Sequence, residues 1–312
     1  MIISASRRTD IPAFYADWLM TRLREGYVLV PNPRNKQHYS RVKLTPQTVD
    51  CFVFWTKNPA PMLPRLKLLD TMGYNFYFQF TLTPYGRNIE VNLPAKNDLL
   101  HTFRALSRLI GPERVVWRYD PIIMTKQMTV YYHINCFRKM TAALEGFTHS
   151  CIFSFLDFYT KLRRPLYDMG AAVIKQTEMF QLAESFAEIA QKHNIKLFAC
   201  SEAVDLSRYG IKPACCIDAG LIEKIIKWPI RHTHDHNQRN GCNCAESIDI
   251  GMYDSCLNGC KYCYATSSLQ AVQKNRLLHD VSAPVLFGKL PRGAVLSERK
   301  AESLKIRQGR LF

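Results

Sequence analysis

Short apolar, β-branched and aromatic runs recur along the chain. They are MIISAS (1–6), CFVFWT (51–56), NFYFQFTLT (75–83), RVVWRYD (114–120), HSCIFSFLD (149–157), NIKLFACSE (194–202) and ESIDIGMY (246–253). Runs of this length and makeup predict strands. Between most of them lie amphipathic stretches of helical length, at 12–26, 95–111, 129–146 and 175–194. In the last, Met179, Leu182, Phe186 and Ile189 recur at three- and four-residue steps, one apolar face of a helix. Strands alternating with helices predict βαβ units and a mainly parallel sheet. The seven units fit a (β/α) barrel, complete or open, better than a two-domain split.

Each apolar run switches to polar residues where it ends: Ser6–Asp10, Thr56–Asn58, Thr81 and Thr83, Arg118–Asp120, Asp157, Ser201 and Glu202. In parallel α/β folds the C-terminal strand ends form the active-site face. Recurrence at six strands predicts one shared polar mouth. No linker, repeat or low-complexity block interrupts residues 1–270. The expected organisation is a barrel over 1–283 and a basic tail over 284–312. In that tail Lys289, Arg292, Arg299, Lys300, Lys305, Arg307 and Arg310 face only Glu298 and Glu302, so it reads as a peripheral tail or a nucleic-acid arm.

Composition narrows the class. Hydrophobic residues make up 47% of the 312 and charged residues 22%, which excludes a disordered chain. No apolar run reaches the ~18 residues that a membrane span needs, and the start lacks an apolar leader. A cytoplasmic protein is expected. The formal charge of +16 favours nucleic acid or another phosphate-rich partner, although no RRM, zinc-finger or helix-turn-helix signal accompanies it.

Eight of the eleven cysteines lie between residues 200 and 263. An odd count without secretory signals argues against a disulfide framework and for metal binding. Cys51, Cys136 and Cys151 sit in apolar runs and read as core. Cys256, Cys260 and Cys263 follow C-x3-C-x2-C spacing, with Tyr262 before the third. Three thiolates can hold three irons of a [4Fe–4S] cube and leave the fourth iron open, as a ligand-activating site requires. Structural zinc, normally closed by four ligands, is the rival reading.

This segment resembles the radical S-adenosylmethionine (SAM) superfamily signature. The resemblance implies that SAM binds the open iron, that Tyr262 packs near the adenine, and that an electron donor such as flavodoxin or ferredoxin feeds the cluster. One-electron cleavage of SAM then yields a 5′-deoxyadenosyl radical that abstracts hydrogen from a substrate. In that superfamily the loop follows the first barrel strand. Here it lies near the C-terminus, so a circularly permuted barrel is expected, with 246–253 as first strand pairing in parallel beside 1–6. The chain as a whole, over roughly 1–270, resembles a domain-of-unknown-function family. The matching pieces are Ser6–Tyr15, Phe54–Pro59, Trp117–Pro121, 205–211, and NQRNGCNC followed by SIDIGMY.

A second [4Fe–4S] cluster is expected on Cys200, Cys216, Cys242 and Cys244, with Cys215 turned away; structural zinc and free thiols are the alternatives. His232, His234, Asp235 and His236 form a polar loop that reads as a metal ligand set or, more simply, a solvated turn. Arg7 and Arg118 are candidates for binding the SAM carboxylate or an anionic substrate, because the guanidinium fork suits carboxylate and phosphate. Arg8 and Lys57 belong to the same basic set, and Asp10 and Asp120 are candidate ion-pair partners. Two functions remain: a radical SAM enzyme acting on an anionic or nucleic-acid substrate, or a non-catalytic zinc or iron–sulfur protein that binds nucleic acid or senses redox state.

Overall fold

A computed structural model describes residues 1–239 and 241–306. Eleven strands are present among them: β1 Ile2–Ala5, β2 Tyr27–Asn32, β3 Asn35–Lys43, β4 Cys51–Thr56, β5 Phe76–Thr81, β6 Val115–Ile122, β7 Ser150–Phe155, β8 Lys196–Ala199, β9 Lys212–Pro213, β10 Ile248–Asp249 and β11 Val295–Glu298. Nine α-helices accompany them: α1 Ile11–Phe14, α2 Ala16–Glu25, α3 Leu66–Thr71, α4 Lys96–Ile110, α5 Val130–Leu144, α6 Arg163–Asp168, α7 Gln176–Lys192, α8 Ala219–Ile226 and α9 Leu269–Leu277. No helix among the described residues is long and apolar enough to cross a membrane.

Eight strands form one parallel sheet in the order β10-β1-β4-β5-β6-β7-β8-β9. The order is linear, with β10 and β9 at the two edges. The expected pairing of 246–253 beside 1–6 is present: Ile3 pairs with Ile248 and Ser4 with Asp249, in parallel. The fold is thus α/β around a large parallel sheet.

Alternation divides the strand residues between two faces. Phe52, Phe54, Phe76, Phe78, Phe80, Trp117, Phe153 and Phe155 pack on one face with Trp18 and Leu19 of α2, Phe103 of α4, Phe137 of α5 and Phe186 of α7. These helices carry their apolar residues at three- and four-residue steps, as in Leu99, Phe103, Leu106 and Ile110, so each covers the sheet with one stripe. On the other face Ile2, Cys51, Val53, Tyr77, Val116 and Ile152 meet Ala214, Cys216, Ile217, Ile222, Ile230, Cys242, Cys244 and Ala245. Strands buried on both faces read as unbroken apolar runs, which is why these were legible.

Three departures from the sequence reading have local causes. The helix expected over 12–26 is broken at Tyr15 into α1 and α2. A three-stranded sheet, β11-β3-β2, was not foreseen, because Pro31, Pro33 and alternating polar residues mask β2 and β3. Residues 284–306, assigned to the basic tail, lie against the body. There β11 pairs in parallel with β3, and Ser303 Oγ and Leu304 N both donate to Asp50, at 2.6 and 2.7 Å. Arg307 and Arg310 lie outside the described residues.

Candidate functional site

The face opposite α2, α4, α5 and α7 becomes polar toward the C-terminal strand ends. Along β1 it runs Ile2, Ser4, Ser6; along β5, Tyr77, Gln79, Thr81; along β6, Val116, Arg118, Asp120; along β7, Ile152, Ser154. A cavity of about 510 Å³ opens there, lined by Ser6–Asp10, Trp55, Lys57, Arg118, Asp120 and Ser154 among others. All seven candidate ligand cysteines line this one cavity: 200, 216, 242, 244, 256, 260 and 263. Cys215 does not line it and is half-buried.

The loop bearing Cys256, Cys260 and Cys263 is fixed from two sides. On one side Thr9 Oγ1 lies 2.6 Å from Ser255 Oγ, Tyr15 Oη donates to Ser255 O at 2.7 Å, and Asn258 Nδ2 donates to Asp10 Oδ2 at 2.9 Å. On the other, Asn92 N donates to Asn258 O at 3.1 Å and Lys261 N to Ile89 O at 3.0 Å. Gly259, at φ +67°, lies so close to this second wall that an added Cβ would stand 3.1 Å from Asn92 Nδ2 and 3.3 Å from Val91 Cβ. Glycine alone meets both demands easily.

Asp249 joins β10 to the SRRTD segment. Its carboxylate accepts from Ser4 Oγ (3.0 Å), Ser6 Oγ (2.6 Å), Arg7 N (2.8 Å), Gly251 N (3.0 Å) and the Arg8 guanidinium (3.0 Å). Burial works to raise its pKa, but Arg8 and these donors outweigh it and hold it low.

Tyr262 is buried on the cavity, and its hydroxyl donates to Glu90. Glu90 was not singled out from the sequence; it sits in an aperiodic polar loop, TPYGRNIEVN, which gives no pattern signal. It is a buried hub that also accepts from Lys57 Nζ at 2.7 Å, Thr83 Oγ1 at 2.7 Å and Lys96 Nζ at 2.5 Å. Burial would push its carboxyl up, yet Lys57 and Lys96 prevail and lower it from 4.5 to about 2. The same loop thiols respond differently: burial pushes Cys256 well up and Cys260 to about 12.

Beside them lie the other four thiols. Cys200 Sγ is 3.5 Å from Cys216 Sγ, and Cys242 and Cys244 line the cavity beside them, with Ile217 N donating to Cys244 Sγ at 3.3 Å. Arg118 Nη1 donates to Cys216 Sγ at 2.9 Å, while its other nitrogens hold Asp120. The Arg7 guanidinium lies over the Trp55 ring at 5.3 Å, and Arg118 over the same ring at 5.0 Å. Arg7 Nη2 and Trp55 Nε1 are buried with no partner among the described residues. Of the candidate counter-ions, Asp120 pairs with Arg118, whereas Asp10 caps α1 and ties Lys57 N to the cysteine loop.

The histidine loop behaves as a turn. His232, His234 and His236 are exposed, and buried Asp235 accepts from Asn237 N and Gln238 Nε2. Cys51 and Cys151 are core, and Cys136 is half-buried on α5. Among the described residues no three His, Cys, Asp or Glu side chains are gathered in the manner of a single-ion site.

Fold and site together define an α/β protein with a thiol-rich cavity at the C-terminal edge of a parallel sheet. The chain belongs to the family described as Domain of unknown function (DUF1848), which it matches over residues 2–265, a span that ends just past Cys263. No curated protein matches it.

Proposed function

We propose that the protein is a radical SAM enzyme built on a circularly permuted (β/α) barrel, with Cys256, Cys260 and Cys263 holding a [4Fe–4S] cluster. The observation that carries this reading is the convergence of those three thiols on a cavity beside β10 and β1, the strand pair that permutation requires. The donor set fits: three cysteines in one braced loop, with no fourth thiol in it, suit a cube with one open iron. Once bound, the cluster and SAM supply one-electron cleavage of a sulfonium and a hydrogen-abstracting radical.

The remaining work falls to the chain. Arg7, with an unpartnered nitrogen on the cavity, suits the methionyl carboxylate or an anionic substrate. Tyr262, fixed through Glu90, offers an aromatic edge on the cavity for the adenine. Of the cavity's cations, Arg8, Lys57, Arg118 and Arg239 are paired with carboxylates, whereas Arg7 has none within ion-pair distance among the described residues and favours an anionic substrate, nucleic acid included; a flavodoxin- or ferredoxin-type donor is the expected reductant.

Anaerobically reconstituted, reduced protein should cleave SAM to 5′-deoxyadenosine, and Cys256→Ala should abolish it. Colourless, zinc-loaded protein that yields no product would favour the non-catalytic metal-binding alternative.

A further inference from the structure

We propose that Cys200, Cys216, Cys242 and Cys244 hold a second iron–sulfur cluster, one closed by four protein thiolates. The four come from three separate segments: the end of β8, the approach to α8 and the approach to β10. Cys200 Sγ and Cys216 Sγ stand 3.5 Å apart, and Cys242 and Cys244 line the same cavity within the same buried cluster. Each is at most 9% exposed, within the apolar cluster on the sheet face that α8 covers. Cys216 rather than Cys215 takes part.

The surrounding donors suit thiolates rather than thiols. Arg118 Nη1 reaches Cys216 Sγ at 2.9 Å, and the backbone of Ile217 donates to Cys244 Sγ at 3.3 Å. The Arg7 guanidinium lines the same cavity and has no carboxylate within ion-pair distance among the described residues. A buried cation aimed at neutral thiols is costly, whereas one aimed at thiolates is compensated. Four thiolates this close repel one another unless a cationic core lies between them, and an iron–sulfur core supplies that charge. N–H and guanidinium donors to sulfur are also what sets such a cluster's electronics.

The spacing separates iron from zinc. Structural zinc sites draw on paired CxxC-type knuckles; here only Cys242 and Cys244 are near neighbours in sequence. A Cys200–Cys216 disulfide would account for one contact and leave Cys242, Cys244 and both arginines unexplained. With four protein ligands this cluster has no open iron, so its place is beside the SAM site and not a copy of it.

The test removes the first cluster. The triple variant C256A/C260A/C263A is reconstituted anaerobically with iron and sulfide, and bound iron, acid-labile sulfide, zinc and the EPR spectrum after reduction are measured. We expect about four irons and about four sulfides per chain, against about eight irons in the unaltered protein. An iron-free variant, zinc in place of iron, or a Cys200–Cys216 disulfide in the mass spectrum overturns the proposal. If the triple variant does not fold, C242S/C244S decides: a fall from about eight irons to about four supports the second cluster, and an unchanged count overturns it. The measurement needs no SAM cleavage, so a failure of the catalytic reading leaves it intact, and the reverse holds too.

Discussion

Glu90→Gln tests the brace beneath the cysteine loop. Glu90 is 1% exposed and forms ion pairs with Lys57 and Lys96. Removing its charge leaves Lys57, whose side chain is 13% exposed, with no carboxylate partner. Breaking a buried pair from one side costs about 3–5 kcal/mol. At roughly 2 °C per kcal/mol for a chain of this size, the melting midpoint should fall by roughly 6–10 °C. Acid should report the same group. Its folded pKa lies below its unfolded one, so its contribution is complete above about 4.5 and is lost as pH falls through about 2. The variant should therefore lose less stability than the parent across that window. Thermal melts from pH 7 down to pH 3, with Lys57→Met and the double variant, complete a cycle in which the double variant recovers much of the loss. A shift below about 2 °C for Glu90→Gln, or additive single effects, would refute the brace.

Other outcomes follow from the same contacts. Burial raises the Glu202 carboxyl to about 7. The folded state holds its proton where the unfolded state has released it, so stability falls as pH rises from about 4.5 through about 7. Glu202→Gln should flatten that decline and raise the melting midpoint at pH 8, by an amount equivalent to roughly 1–3 kcal/mol; an unchanged slope contradicts it. Gly251→Ala places a Cβ 2.1 Å from Ser6 Oγ and 2.6 Å from Thr9 Oγ1. Those hydroxyls are already committed to Asp249 and Ser255, so a loss of about 1–3 kcal/mol is expected, read as a lower melting midpoint; wild-type stability would show the network to be slack.

The parallel sheet was legible because β4, β5 and β7 are unbroken apolar runs, and the pairing of β10 with β1 because the cysteine loop stands far from where its resemblance would put it. Clustering in sequence marked eight thiols, and the structure separates Cys215 from the seven that line the cavity. What escaped depended on tertiary context. Glu90 sits in a loop without period, and its importance comes from Lys57 and Lys96 arriving from elsewhere. Buried His133 looked like one residue of an amphipathic helix. It bonds Tyr119 Oη at 3.0 Å and Ile123 O at 2.9 Å, and burial lowers its pKa to about 4. The hairpin of β2 and β3 escaped because half-exposed strands with prolines mimic loop. Which arginine would be neutralised was also invisible: Arg118 meets a carboxylate two residues away, while the Arg7 guanidinium meets Ser247 Oγ and the Trp55 ring.

The pairing of β1 with β10 imposes an order on biosynthesis. Residues 2–5 are made some 240 residues before their neighbour on one side, 248–249. Until then β1 carries a bare hydrogen-bonding edge of the kind that invites pairing with other chains. The thiol-lined cavity likewise stays incomplete until residues 256–263 have been made.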